Sequence, residues 1–255
     1  MIPDLTVVKV GTGVLTKVAD GTLDGGSLVR LSTALAGLVE EGRRVILVSS
    51  GSVGAGVAAF GLKHYPDDVS TRQACAAVGQ TRLMAAYESI LRRFDVAVAQ
   101  LLLTADDLHV DSRRALVLDT LNRLLAEPLL LPIINENDSV AVEELKVGDN
   151  DMLSALVAVL VGAKRLVLLS TVDGLIDPAT EKPIPRVDDL SAVEAMAAPT
   201  KGRFSIGGMR SKLQAVRHAV EHGIETVIAN GRTPEHLPAI LHGNGPGTRF
   251  SPCKR

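Results

Sequence analysis

The sequence predicts an α/β fold with a mostly parallel central sheet and helices on both faces. Three observations carry that expectation. Short β-branched runs alternate with longer Ala/Leu runs of helical period, in the order βαβα. The run Val45 to Val48 is continuously apolar, as suits a parallel strand covered on both sides. Small, polar or acidic residues follow several strands, which is where ligands sit in such folds.

Taken in order, Leu5 to Val10 is the first strand, closed by the turn Gly11-Thr12-Gly13. The spacing of Leu28, Leu31, Leu35 and Leu38 predicts a helix from Ser27 to Glu41, stopped by Gly42. Strand Val45 to Val48 follows, then a helix over Thr71 to Phe94 and a strand over Val96 to Leu103. The pattern continues with a helix from Ser112 to Leu125, a short strand from Leu131 to Ile134, a helix from Asn150 to Val161 and a strand from Arg165 to Leu169. Asp173 to Gly208 is richer in polar residues and Pro and reads as loops with a short hairpin. A helix from Met209 to His222, a strand from Thr226 to Ala229 and a short helix after Thr233 complete the chain.

Composition narrows the function. With 46% hydrophobic residues and a net charge of −2, the chain has enough apolar residues for a core and lacks the signature of disorder. A pI near 6.3 and 2% aromatic residues argue against nucleic acid as a partner, since neither phosphate attraction nor base stacking is served. Cys75 and Cys253 read as free thiols of a reducing compartment. The longest apolar runs, such as Leu153 to Val161, fall far short of the ~20 residues of a membrane span. We expect a soluble cytoplasmic protein.

Four motifs carry chemistry. Ser49 to Gly56 has the order G-x-x-G-x-G rather than the G-x-G-x-x-G of dinucleotide folds, and reads as a loop whose bare N–H groups could wrap a phosphate or carboxylate. A tight strand-to-helix turn is the alternative. Lys9, the one charge in its strand, either meets an anion or snorkels from an edge. Gly207-Gly208-Met209-Arg210-Ser211-Lys212 opens a helix, so that a phosphate could approach its free N–H groups with Lys212 beside it. In Lys146 to Asp151, capping explains one of Asp149, Asn150 and Asp151. The surplus points to a carboxylate facing cations, either Lys9 and Lys212 or a magnesium ion. His218-Ala219-Val220-Glu221-His222 fits a zinc-peptidase pattern, but it lies at a helix C-terminus, where the dipole favours His, so no metal ligands are assigned.

Together, Val7 to Thr16, Val48-Ser49-Ser50-Gly51, Ile134-Asn135-Glu136-Asn137-Asp138, Lys146 to Asp151 and Gly207-Gly208-Met209-x-x-Lys212 resemble the glutamate 5-kinase family of the amino-acid kinase superfamily. The resemblance runs in order along essentially the whole chain and implies a three-layer αβα sandwich. It also implies one kinase domain over residues 1–255, with a substrate half to about residue 160 and a nucleotide half beyond, and without the C-terminal PUA domain that many members carry. The implied activity is phosphorylation of the L-glutamate γ-carboxylate by ATP with Mg²⁺, the first step of proline biosynthesis.

Carried over by position, Lys9, Lys212 and Asp151 would be catalytic, the two lysines acting on the transferring phosphoryl group and Asp151 holding them. Ser50, Gly51, Asn135, Asp138 and Asn150 would bind glutamate. Lys9, Ser170, Thr171, Ile206, Gly207, Gly208, Met209 and Lys212 would meet the nucleotide. The chain departs from the family in having Ser205-Ile206 where Gly-Thr is usual and Ser170-Thr171 where Thr-Asp is usual. The resemblance further implies a homo-oligomer (dimer or tetramer), proline as a feedback inhibitor and functional pairing with glutamyl-phosphate reductase. Alternatives are a kinase of N-acetylglutamate, aspartate or carbamate, or a non-catalytic amino-acid-binding regulator.

Overall fold

The structure is a computed structural model describing residues 4–17, 19–140, 150–194 and 208–253. The chain begins with β1 (Thr6–Val10), a single turn α1 (Thr12–Leu15), α2 (Gly25–Glu40) and β2 (Val45–Val48). Next come α3 (Ser52–Ala59), α4 (Val69–Leu91), β3 (Ala97–Leu103), α5 (Ala105–His109), α6 (Asp111–Leu125) and β4 (Leu130–Glu136). The rest is α7 (Asn150–Leu160), β5 (Arg165–Ser170), β6 (Arg186–Val187), α8 (Ser191–Glu194), α9 (Met209–Glu221), β7 (Glu225–Asn230), α10 (Leu237–Leu241) and β8 (Thr248–Phe250).

Among the described residues eight strands form one sheet in the order β3-β4-β2-β1-β5-β7-β8-β6. Every pairing is parallel except that of β7 with β8. The expected fold class therefore holds, with one antiparallel interruption that the sequence reading missed. Three-residue β8 was too short to show a period.

Strand side chains alternate between faces, and this sorts the core into two. Val7, Ile46, Ile134 and Leu166 pack with α6, α7 and α9 on one face. Val8, Leu47, Ile133 and Val167 pack with α2, α4 and α10 on the other. The result is the αβα sandwich. β1 lies at its centre, with β2 on one side and β5 on the other. Chain order reverses across β1, the position at which folds of this kind bind ligands outside the carboxyl ends of the strands.

Helix ends are set locally. Asp24 accepts from Gly26 and Ser27 N–H at the start of α2, and Asp68 accepts from Thr71 N–H at the start of α4. Two details add to the expectations. The stretch Ser49 to Gly56 turns directly from strand into helix, with Gly51 at φ 98° starting α3. Farther along, Gly56 and Gly79 let α3 and α4 touch backbone to backbone. A Cβ on Gly56 would stand 1.9 Å from Cys75 O, and one on Gly79 1.8 Å from Ser52 O. The Asp173 to Gly208 excursion also contains β6 and α8, besides the expected hairpin-like bridge between Ile176 and Pro183.

Candidate functional site

Lys9 shares its face of β1 with Val7, the face covered by α7 and α9. Since β1 is central in the sheet, the edge-strand reading of this lysine is excluded. Asp151 stands in the first turn of α7 and Lys212 in the first turn of α9, and the three side chains meet. Lys9 Nζ lies 2.6 Å from Asp151 Oδ1, and Lys212 Nζ donates to Asp151 Oδ2 at 2.8 Å. All three residues are at most 8% exposed.

Burial pushes the Asp151 carboxyl up, but the two ammonium groups outweigh this and hold it below the usual carboxylate range. The surplus carboxylate foreseen beside α7 thus faces the lysines. Two cations against one anion leave these three groups with a net positive charge in a dry setting, an arrangement that favours an incoming anion.

Beside them is a neutral network. Asn150, the first residue of α7, directs its Nδ2 at Ser49 O, Ser50 Oγ and Asn135 Oδ1, each at 2.9 Å. Asn135 Nδ2 donates to Gln80 Oε1 of α4 at 2.9 Å, and its Oδ1 accepts from Glu136 N–H. Ser49 Oγ pairs with the Tyr87 hydroxyl at 3.0 Å, and burial pushes that phenol up. The ends of β2 and β4 are therefore joined to α4 and α7 by side-chain hydrogen bonds. Asn150 Oδ1 is buried without a hydrogen-bond donor among the described residues. Such an acceptor costs about 1–3 kcal/mol until something donates to it. Asp138, in the turn after β4, accepts from Ser52 Oγ at 3.2 Å.

On the other side of β1, Gly11 N–H donates to Leu169 O at 3.1 Å, and Lys9 Nζ lies 3.6 Å from where a Gly11 Cβ would be. Ser170 ends β5, and the Thr171 methyl stands 3.1 Å from where a Gly13 Cβ would be. Gly208 is the N-cap of α9, with open space around its Cβ position, while Met209 packs partly against the core. Ile206 and Gly207 lie outside the described residues, as do Lys146 to Asp149 and Ser205.

A model of the amino acid kinase family matches residues 4–230. The chain belongs to this family. Its relatives include the glutamate 5-kinase of Symbiobacterium thermophilum, 45% identical over 250 residues that cover 96% of this chain and 95% of that protein. Another, the glutamate 5-kinase of a Nostoc species, is 43% identical over 98% of this chain and 68% of its own length. Among solved structures, carbamate kinase from Giardia lamblia bound to AMP-PNP superposes with a TM-score of 0.67 at 17% identity, covering 98% of both chains. The N-acetylglutamate synthase of Neisseria gonorrhoeae, complexed with coenzyme A and L-arginine, gives 0.70 at 19% identity, this chain spanning 61% of it. At those identities the likeness is one of family fold.

The structure thus gathers Lys9, Asp151 and Lys212 at one point and Ser50, Asn135 and Asn150 at another, with Asp138 tied to the start of α3. Gly208 joins the first network through its carbonyl, which accepts from Lys212 N–H at 3.4 Å, while Ser170 and Thr171 follow β5 on the other side of β1. Sequence reasoning missed Gln80, Tyr87 and Ser52. Gln80, the lone polar residue facing inward from an Ala- and Val-rich stretch of α4, was the one legible signal. Among the described residues no cluster of three His, Cys, Asp or Glu is placed to hold a metal, and no helix is long and apolar enough to cross a membrane. His218 and His222 stack with ring centroids 4.6 Å apart, and His222 Nδ1 donates to His218 O.

Proposed function

We propose that this chain transfers the γ-phosphoryl group of ATP to the γ-carboxylate of L-glutamate, giving L-glutamyl 5-phosphate and ADP as the first step of proline biosynthesis. The observation that carries the reading is the Lys9–Asp151–Lys212 arrangement: two ammonium groups on the two oxygens of one buried carboxylate.

The chemistry asks for little else. A glutamate side chain with a pKa near ~4.3 is already ionised at neutral pH, so no general base is required. One of its oxygens attacks the γ-phosphorus while the bond to the β,γ-bridging oxygen breaks, and that electron pair leaves with ADP. The obstacle is the mutual repulsion of two anions, and the remedy is positive charge fixed in advance. Lys9 and Lys212 supply it, and Asp151 keeps them from repelling each other out of the site.

Both Asp151 oxygens are engaged by lysines, and no acidic cluster stands nearby among the described residues. Mg²⁺ therefore fits here as part of the metal–nucleotide substrate, where it neutralises phosphate charge. Ser50, Gly51, Asn135, Asp138 and Asn150 would hold glutamate. The unsatisfied Asn150 Oδ1 suits a donor such as its α-ammonium, and the Asp138 carboxylate suits the same charge. Ser170, Thr171 and residues 206–209 would border the nucleotide, dividing the chain into a substrate half and a nucleotide half. Homo-oligomer formation, cytoplasmic location, feedback by proline and hand-over of the acyl phosphate to glutamyl-phosphate reductase belong to the same reading.

The test is hydroxylamine trapping of the acyl phosphate in a reaction that needs both glutamate and ATP. A panel containing N-acetylglutamate, aspartate and carbamate is run alongside. Preference for glutamate is expected. No trapped product, or a clear preference for another acid, overturns the reading.

A further inference from the structure

Ser52 opens α3 immediately after the left-handed Gly51 and is 4% exposed. Its hydroxyl reaches across to the turn after β4 and donates to Asp138 Oδ2 at 3.2 Å, although the two residues are 86 apart in sequence. This donor is held from behind. The backbone of α4 presses on the carbonyl of Ser52, where a Cβ on Gly79 would come within 1.8 Å. Ser52 therefore cannot shift without moving α4. The Asp138 carboxylate also lies at the amino-terminal end of α3, where the helix dipole favours a negative group.

A second group senses the same carboxylate. Tyr65, on the loop between α3 and α4, has its phenol pushed up by burial and then by the Asp138 charge. It stays neutral at physiological pH, so it brings no competing anion to this corner.

We propose that Ser52 is a positioning residue for the amino-acid substrate, fixing the rotamer in which Asp138 presents its carboxylate to the glutamate α-ammonium. The inference rests on the assignment of Asp138 to the glutamate site and deepens it. Ser52 itself touches neither substrate nor the reacting atoms. A fixed carboxylate meets a cation without first giving up rotamer freedom, so losing the anchor weakens ground-state binding and leaves phosphoryl transfer alone.

The test is steady-state kinetics on the full chain for the wild type, Ser52→Ala, Ser52→Thr, Asp138→Asn and the Ser52→Ala/Asp138→Asn double variant, each checked for a native melting transition. Ser52→Ala should raise the glutamate KM about fivefold, with kcat and the ATP KM within about twofold of wild type. Ser52→Thr, which restores a hydroxyl, should recover most of the loss. In the Asp138→Asn background Ser52→Ala should add nothing, because the two residues act as one unit. An unchanged KM in Ser52→Ala while Asp138→Asn raises it overturns the proposal, as does a Ser52→Ala loss that falls on kcat or adds to that of Asp138→Asn. If Asp138→Asn itself leaves the glutamate KM unchanged, the glutamate site is misplaced and both readings fall.

Discussion

Lys9 and Lys212 grip opposite oxygens of one carboxylate, Lys9 at 2.6 Å from Asp151 Oδ1 and Lys212 at 2.8 Å from Asp151 Oδ2. One lysine comes from the central strand and the other from the first turn of α9, so the contact pins a helix to the sheet where the strands end. Because the pair is buried, its members are not interchangeable. Asp151→Asn leaves two ammonium groups facing one another and should lower stability by about 3–5 kcal/mol. Lys212→Ala leaves a paired Asp151 and Lys9, so the protein should fold and still bind glutamate. Its kcat should drop by about 100- to 1000-fold, because the lost charge acts mainly in the transition state. Chemical denaturation and initial-rate kinetics read the two outcomes. A Lys212→Ala defect confined to KM would contradict the role given to it.

Asn150 offers a sharper comparison. Its Nδ2 faces three oxygen acceptors, so Asn150→Asp would aim an anion at lone pairs, whereas Asn150→Ala merely removes the donor they share. The aspartate variant should be the worse of the two, with a lower melting temperature and a larger rise in the glutamate KM. Equal behaviour of the two would mean that the network does not orient the site.

The glycines of the α3–α4 crossing can be tested by contrast. Gly56→Ala and Gly79→Ala place a Cβ within 1.9 Å of backbone atoms, and each should cost about 3 kcal/mol or more. Gly37→Ala, inside α2 with nothing within 4 Å of its Cβ, should instead stabilise by about 0.5–1 kcal/mol. Thermal melts of the three variants decide it.

Acid sensitivity follows from a charge cluster at the opposite end of the strands. Glu225 Oε2 pairs with Arg165 Nε and its Oε1 with Arg249 Nη1, both at 2.6 Å. Burial pushes the Glu225 carboxyl up, yet its bonds to Arg165 and Arg249 prevail and hold it below the ordinary value of 4.5. A carboxyl with a depressed folded-state value stabilises the fold above its unfolded value, and that contribution is lost as pH falls through the folded one. Glu225→Gln should therefore cost about 2 kcal/mol near pH 7, with the difference from wild type shrinking as pH falls below 4.5. Melting temperatures from pH 7 to pH 3 should show the two curves converging. Parallel curves would refute it.

Much of this was legible beforehand because it is written in local patterns. Alternation and helical spacing located most of the elements, and Lys9 stood out because a lone charge in an apolar strand demands a partner. Asp151 and Lys212 were likewise visible as a surplus carboxylate and a lysine, each at a helix start. Other features have no local signature. Gly56 is one: sequence cannot tell a glycine that admits a ligand from one that admits another helix. Only the approach of α4 separates the two.

The sequence by itself determined the alternating elements, the apolar faces and the chemical types gathered at the strand ends, since all of these follow from side-chain periodicity within a few residues. The tertiary structure alone decided that Lys9 is central rather than at an edge, that β8 runs against β7, and that Gln80 meets Asn135, Ser52 meets Asp138 and Tyr87 meets Ser49. Each of those depends on contacts between segments far apart in the chain, whose geometry is set by how the whole sandwich packs and by no local pattern of residues.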